Sequence, residues 1–448
     1  MNAEQRVEEI YREILTRAPE HDVQPSLARV AAVCELLGDP QETFRTIHLT
    51  GTNGKTSTAR MAEALVRSMG LRTGRFTSPH LHSVRERIAI DGEPISPEAF
   101  VAAWEDVEPY IAMVDARSQA EGGPRLSFFE VFTVMAFAAF ADAPVDVAVI
   151  EVGMGGRWDA TNVVGGDIAV LTPVEFDHQR WLGSSIREIA GEKVGIIKPG
   201  AVVVSAEQRE EVAGIITVAA AAAGARLLEE GGDLTVARRD VAVGGQILSL
   251  RTPAATYTDI LLPLHGEHQA HNALLALVAV EVLLGGGALP GEVVEEAFGT
   301  VTSPGRLEVV RTSPTILVDA GHNPAGMVAV RETIEEAFAF TRIVGVVACM
   351  ADKDAESMLS ELEPLLDEVV VTRMHSSRAM DAGELLEIAR DVFDPDRAHL
   401  EPSLADAIDR AATLAERDGD PAGTTGVLVV GSVVLAAEAR ELLGRSKA

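Results

Sequence analysis

F-R-T-I-H-L-T-G-T-N-G-K-T-S-T, residues 44–58, places a strand, a glycine-rich turn, a lysine and a helix start in that order. Residues 45–49 are predicted as a short strand with Ile47 and Leu49 on one face, and 56–69 as the helix that follows. Gly51 and Gly54 permit a tight turn whose N–H groups point inward. The helix start adds a partial positive charge, so the turn is suited to a phosphate. Thr52, Asn53 and Ser57 belong to the same candidate nucleotide loop. Lys55 would reach the outer phosphates of a nucleotide, and the Thr56 hydroxyl could ligate Mg²⁺. The usual P-loop spacing would put its first glycine at Leu49, and here the turn begins only at Gly51. The alternative is a glycine-rich turn with a solvated lysine, which the strand-to-helix context disfavours.

The 448 residues suffice for two or three domains, and 47% hydrophobic residues suffice for real cores. A net charge of −30 repels nucleic acid and anionic membranes, so neither is expected as a partner. An anionic substrate must instead meet a local basic cluster. Only Lys55, Lys193, Lys198, Lys353 and Lys447 are lysines, so a lysine inside a motif stands out. Cys34 and Cys349 lie in apolar surroundings without metal-ligand spacing, as in a reducing compartment. The acidic N-terminus is unlike a signal peptide, and no apolar run approaches the ~18 residues of a membrane span. A cytoplasmic protein, monomeric in solution, is the expectation.

Along the chain, residues 4–18 and 26–37 are predicted helices. Residues 71–77 return as a strand ending in T-S-P-H-L, which sets Ser78 and His80 at a carboxyl end, where open α/β sheets bind ligands. Residues 87–91 and the Asp91-Gly92 turn continue as a hairpin, and 97–119 form a long helix. The stretch 126–141 is too apolar for a surface helix and carries one charge, Glu130. Residues 146–152, D-V-A-V-I-E-V, form a continuous β run of the kind covered on both faces. It ends in Glu151, a carboxylate facing the phosphate loop and therefore a candidate metal ligand. Residues 167–173 repeat the pattern ahead of Asp177-His178, 186–197 form a helix carrying Lys193, and 201–205 another strand.

The fold class expected is α/β: a doubly wound, mostly parallel sheet with a P-loop over 45–228 and a small antiparallel addition over 234–264. A helix from about 265 to 284 and another over 291–298 follow. Residues 302–305 read as a linker. The predicted organisation is thus an N-terminal P-loop ATPase domain over 1–301 and a smaller Rossmann-like α/β domain over 306–448, with strands at 315–319, 343–349, 368–372 and 427–430.

The motifs G-T-N-G-K-T-S, S-P-H-L, E-V-G-M-G-G-R-W-D-A-T-N, F-D-H, G-E-K-V-G-I-I-K-P-G, H-Q-A-H-N-A, S-P-G-R-L-E, D-A-G-H-N-P and A-D-K-D occur in this order. Together they resemble the folylpolyglutamate synthases and their bifunctional form with dihydrofolate synthase activity, relatives of the Mur ligases. The resemblance runs over residues 26–443. It implies an ATP-dependent ligase that joins L-glutamate to dihydropteroate and to reduced folates through an acyl phosphate, releasing ADP and phosphate.

The resemblance places Mg²⁺ on Ser78, Glu151 and His178, an oxygen-rich set apart from the histidine. Read singly, Ser78 could cap a turn, Glu151 could pair with Arg157, and His178 could be a loop histidine. Lys193 matches the lysine that the family converts with CO₂ to N6-carboxylysine, which needs a neutral amine; the alternative is an ion pair with Glu192. Asn272 and Arg306 are implied near adenine, and Asp319 near ribose and phosphate, with ATP between the two domains. His322 would place the incoming glutamate and could take a proton from its amine. Ser377 and Arg378 stand where the family has an S-P-R-A turn, and the proline is missing here; Arg378 suits a carboxylate. Phe129, Asp159, Ala160 and Leu27 are implied at the pterin, although Phe129 alone reads equally well as core.

Two rivals remain. A Mur-type UDP-N-acetylmuramoyl amino-acid ligase would need a sugar-nucleotide domain ahead of the loop, and only about fifty residues precede Gly51, fewer than a usual domain. A non-catalytic nucleotide-binding module would leave Lys193, His178 and the D-A-G-H-N-P motif without a role.

Overall fold

A computed structural model describes residues 2–19, 24–232, 234–417 and 424–445. The chain forms two compact units, one made of residues 1–239, 247–262 and 270–301, the other of 240–246, 263–269 and 302–448.

The first unit is built on an eight-stranded sheet. Its strands are β1 (Arg45–Thr50), β2 (Thr73–Phe76), β3 (Ile88–Ile90), β4 (Glu93–Pro94), β5 (Val147–Glu151), β6 (Ile168–Leu171), β7 (Val202–Ser205) and β8 (Arg226–Glu229). They lie in the order β4-β3-β2-β5-β1-β6-β7-β8. From β2 to β8 all neighbours are parallel, while β3 and β4 add an antiparallel hairpin at one edge. The central position of β1, between β5 and β6, explains why Thr46, His48 and Thr50 are as buried as Ile47 and Leu49. A strand covered on both faces hides its polar alternates too, and these must then find partners inside the protein.

The helix Phe128–Asp142 is buried almost all round, as its composition requires. Its one buried charge is satisfied locally: Glu130 closes a capping box with Ser127 and accepts from Arg29 Nε at 3.1 Å. A second buried charge pair joins the helix Lys55–Ser68 to β2, where Arg75 and Glu63 are in contact with side chains 4% and 2% exposed.

Helix ends depart from the periodic pattern where capping intervenes. The first helix is Ala3–Ile14 rather than 4–18, because the Thr16 hydroxyl closes on the Glu13 carbonyl at 2.7 Å and Pro19 disfavours helical backbone before it. The helix predicted over 186–197 is Ile186–Lys193 followed by a 3₁₀ turn at Val194–Ile196. There Gly195 lies so close to Arg157 that a Cβ would stand 2.5 Å from its Cα.

Strands β9 (Thr235–Ala242), β10 (Gly245–Arg251) and β11 (Thr256–Leu262) form a separate sheet in the order β11-β10-β9, with connections so short that only antiparallel neighbours permit them. The helix Glu267–Leu283 follows. In the second unit, β12 (Glu308–Thr312), β13 (Thr315–Val318), β14 (Arg342–Val347), β15 (Glu368–Val371), β16 (Ala398–Leu400) and β17 (Thr425–Val430) form a sheet in the order β12-β13-β17-β14-β15-β16. All its pairs are parallel except β12 with β13. Apolar clusters fill both faces of this sheet. Among the described residues no helix is long and apolar enough to cross a membrane.

Candidate active site

β1 delivers the phosphate loop at its carboxyl end. Gly51 (φ +148°) and Gly54 (φ +88°) are required there. A Cβ on Gly51 would stand 1.9 Å from Thr172 Oγ1, and one on Gly54 would stand 2.5 Å from Asn272 Oδ1. The buried Asn272 is therefore packed against the loop. The helix Lys55–Ser68 begins on Gly54 with no side-chain cap, and the positive end of its dipole favours an anion at the loop. Lys55 Nζ folds back onto the carbonyls of Gly51 and Thr52, 3.1 Å from each. Asn53 is half-buried and Ser57 buried beside it.

Thr52 has a structural task. Its hydroxyl donates to the Glu175 carbonyl and accepts from the Glu175 N–H, each at 2.9 Å, while its own N–H donates to the Pro173 carbonyl at 2.8 Å. Those groups tie the loop to the segment after β6.

Glu151 ends β5 as a buried carboxylate and accepts the Thr56 hydroxyl at 3.0 and 2.9 Å, with the Ser78 N–H at 3.4 Å. Thr56, Glu151 and Ser78 are thus brought together. His178, held at φ +51°, lines a small pocket with Gly51, Lys55, Met154, Asp177 and Lys193. The two groups meet at the phosphate loop, which contributes Thr56 to one and Gly51 and Lys55 to the other. Among the described residues no set of three or more His, Cys, Asp and Glu side chains is arranged to hold a metal ion. The Glu151 carboxylate with the Thr56 hydroxyl, and Ser78 beside them, is nonetheless a donor set suited to Mg²⁺, which keeps waters and substrate phosphates among its ligands.

Lys193 is 4% exposed and donates to the Gly51 carbonyl at 2.7 Å. Burial, reinforced by the Lys55 charge, pushes its pKa down to about 7 against the opposing pull of Asp177 and Asp159. Its amine can therefore be neutral near physiological pH. Its hydrogen bond goes to the loop, and the partner of Glu192 is Arg157, at 3.9 Å.

Asp159 is buried and accepts from the N–H groups of Met154 and Thr161, at 3.0 Å each, and from the Thr161 hydroxyl. Burial raises its pKa despite these donors. Its carboxylate thus organises the loop that also carries the buried Ala160. The Phe129 ring packs on Phe76 at 5.6 Å between centroids and lies over Gly153, where a Cβ would stand 2.5 Å from its Cζ. Both readings of Phe129 survive, since it is core on one side and abuts the site loop on the other. Leu27 is half-buried just before the helix Ala28–Leu36.

Within the second unit, Asp319 is buried and accepts from Leu307 N at 2.8 Å and Gly321 N at 2.6 Å. It holds the segment of Arg306 beside the D-A-G-H-N-P turn. Burial raises its pKa, opposed chiefly by the Arg306 charge. His322 Nδ1 lies 3.0 Å from the Ala320 carbonyl. A carbonyl can only accept, so Nδ1 carries a proton in this contact. Arg378 donates to Asp352 Oδ1 at 2.8 Å, and its backbone N–H donates to Ser376 Oγ at 3.2 Å. In the absence of the proline, Ser376 braces this turn, and Ser377 is exposed.

Asp177, Met154 and Leu182 in the pocket wall were not singled out from the sequence. Asp177 was within reach as the neighbour of His178 in F-D-H, whereas the two apolar residues carry no chemical signal.

Two family models match the chain, the Mur ligase middle domain over residues 49–280 and the Mur ligase glutamate ligase domain over residues 305–433. The dihydrofolate synthase/folylpolyglutamate synthase of Mycobacterium tuberculosis is 50% identical, over 96% of this chain and 92% of that one. The Bacillus subtilis protein of the same name is 33% identical over 83% and 85%. Among solved structures, the M. tuberculosis folylpolyglutamate synthase complexed with ADP superposes with a TM-score of 0.95 at 49% identity, covering 99% of both chains. The Thermotoga maritima folylpolyglutamate synthase superposes with 0.82 at 30%, covering 100% of this chain and 98% of that one.

Proposed function

The chain belongs to the dihydrofolate synthase/folylpolyglutamate synthase family of Mur-type ligases, and on that premise we propose that it adds L-glutamate to dihydropteroate and to reduced folates at the expense of ATP. The observation that carries the reading is the convergence of Lys55 and Lys193 on the Gly51 carbonyl, beside a buried carboxylate that accepts the Thr56 hydroxyl.

In this reading the acceptor's carboxylate oxygen attacks the γ-phosphorus of ATP, the bond to the β-phosphate oxygen breaks, and ADP leaves. The glutamate amine then attacks the acyl phosphate, loses a proton, and expels inorganic phosphate as the amide forms. Lys55 and the uncapped helix start hold the terminal phosphates where charge develops. Asn272 and Arg306 serve the base, and Asp319 the ribose and phosphates. His322 places the incoming glutamate and receives the amine proton, and Arg378 binds a glutamate carboxylate. Leu27, Phe129, Asp159 and Ala160 serve the pteridine, Asp159 by shaping its loop. Thr56, Ser78, Glu151 and His178 would hold Mg²⁺, which when bound offsets charge on the transferring phosphoryl group.

We further infer that Lys193 is carboxylated. The buried amine with its pKa near 7 is suited to react with CO₂, and an anion there would offset the positive charge of Lys55. Cytoplasmic action on small molecules, as a monomer and without nucleic acid or membrane, accords with the net charge of −30. Phosphate release with ATP, glutamate and either dihydropteroate or tetrahydrofolate, run beside UDP-N-acetylmuramoyl substrates, tests the assignment. Turnover with a pteridine is expected, and turnover with the sugar nucleotide alone would overturn it.

A further inference from the structure

Resting on that function, we propose that His48 and Thr161 are positioning residues for the acceptor substrate, acting through Asp159. His48 is fully buried on β1, three residues ahead of Gly51, and its Nε2 lies 2.9 Å from Thr161 Oγ1. The Thr161 hydroxyl in turn donates to Asp159 Oδ1, which also accepts the Thr161 N–H, while Asp159 Oδ2 accepts from Met154 N.

These contacts set the direction of the chain. A hydroxyl has one proton, and Thr161 gives it to the carboxylate, so His48 Nε2–H must be the donor to Thr161 Oγ1. His48 Nδ1 is then a bare lone pair, and it is buried without a hydrogen-bond partner. The opposite tautomer would bury an unpaired N–H, the rarer situation in proteins. An apolar side chain would fill this space without leaving an acceptor bare, so the histidine is better explained by what its donor holds than by the stability of the strand. Two residues further along β1, the Thr50 hydroxyl donates to the Gly155 carbonyl at 2.7 Å.

One strand therefore ends in the phosphate loop and grips, at two points, the loop over 153–162 that the reading assigns to the pteridine. The two side chains fix the register between phosphate donor and acceptor carboxylate, and a misplacement of about 1 Å between reacting groups can reduce the rate roughly 10²-fold.

The test compares Thr161→Val, Thr161→Ser and His48→Leu with the wild type, measuring kcat and KM for both pteridines, and the ADP Kd by calorimetry. Thr161→Val should lower kcat/KM for the acceptor at least about tenfold while the ADP Kd stays within about twofold, and Thr161→Ser should restore it. His48→Leu, which acts from the other end of the chain, should show the same split, and it keeps the test available if Thr161→Val does not fold. Equal losses toward ADP and acceptor, no loss in Thr161→Val, or failure of Thr161→Ser to rescue would each overturn the inference. A wild type inactive with both pteridines would instead overturn the function, and the inference with it.

Discussion

Lys193 Nζ and the carbonyl oxygen of Gly51 lie 2.7 Å apart, 142 residues from each other in the chain. The helix Ile186–Lys193 therefore ends on the first glycine of the phosphate loop, and the same carbonyl also accepts from Lys55 at 3.1 Å. Two ammonium groups that share one acceptor repel each other, which is part of why the more deeply buried one has its pKa pushed down to about 7.

With that pKa the neutral fraction of Lys193 rises from about one tenth at pH 6 to about nine tenths at pH 8, and only the neutral amine reacts with CO₂. A carbamate resonance from ¹³C-bicarbonate should therefore grow between those pH values and be missing in Lys193→Ala. Activity of Lys193→Ala should return in part with added short carboxylates. Failure of both measurements would leave Lys193 as a plain loop-binding ammonium.

Lys55→Ala should lower phosphate release roughly 10³-fold with either pteridine, the range expected for loss of a group aimed at developing charge. The circular dichroism spectrum and melting temperature should stay near those of the wild type, because Lys55 is only half-buried and bonds its own loop. Retained turnover would remove Lys55 from the phosphate site.

Gly153→Ala places a methyl group 2.5 Å from Phe129 Cζ. Phe76 packs on the same ring, so the methyl group must displace either the ring or the loop that carries Gly153. The expected result is a rise of roughly tenfold in the acceptor KM with ADP affinity unchanged; an unchanged acceptor KM would make Phe129 a core residue only.

Glu63→Ala should destabilise the chain by about 3–5 kcal/mol in urea unfolding, because it strands the buried Arg75. Arg60 adds to the penalty. Burial first, then the charge of Arg75, lowers its pKa to about 9, and Glu63 is among the carboxylates that oppose this. The double variant Glu63→Leu/Arg75→Met should recover most of the loss. If Glu63→Ala unfolds at the wild-type urea midpoint, the pair has no structural weight.

The elements missed from the sequence have a common cause. β8 (R-L-L-E) and β16 (A-H-L) are three or four residues long at sheet edges, and β12 lies where the chain was read as leaving the linker. A half-exposed edge strand shows neither the continuous apolar run of β5 nor a clean alternation, so periodicity has nothing to detect.

What the sequence determined by itself was everything that local pattern encodes: the glycine pair at the strand-to-helix junction, the buried runs that become parallel strands, and the motif order that marks the family. Only tertiary structure decided partners. Thr52 of the nucleotide loop bonds Glu175; Asp159 holds its own loop; Ser376, not Ser377, braces the turn of Arg378; and His48, silent in the sequence, reaches Thr161. The physical reason is that a residue's type and period report whether it is buried. Which atom meets it, sometimes more than a hundred residues away, depends on a strand order that sets β1 between β5 and β6, and no local stretch of chain records that order.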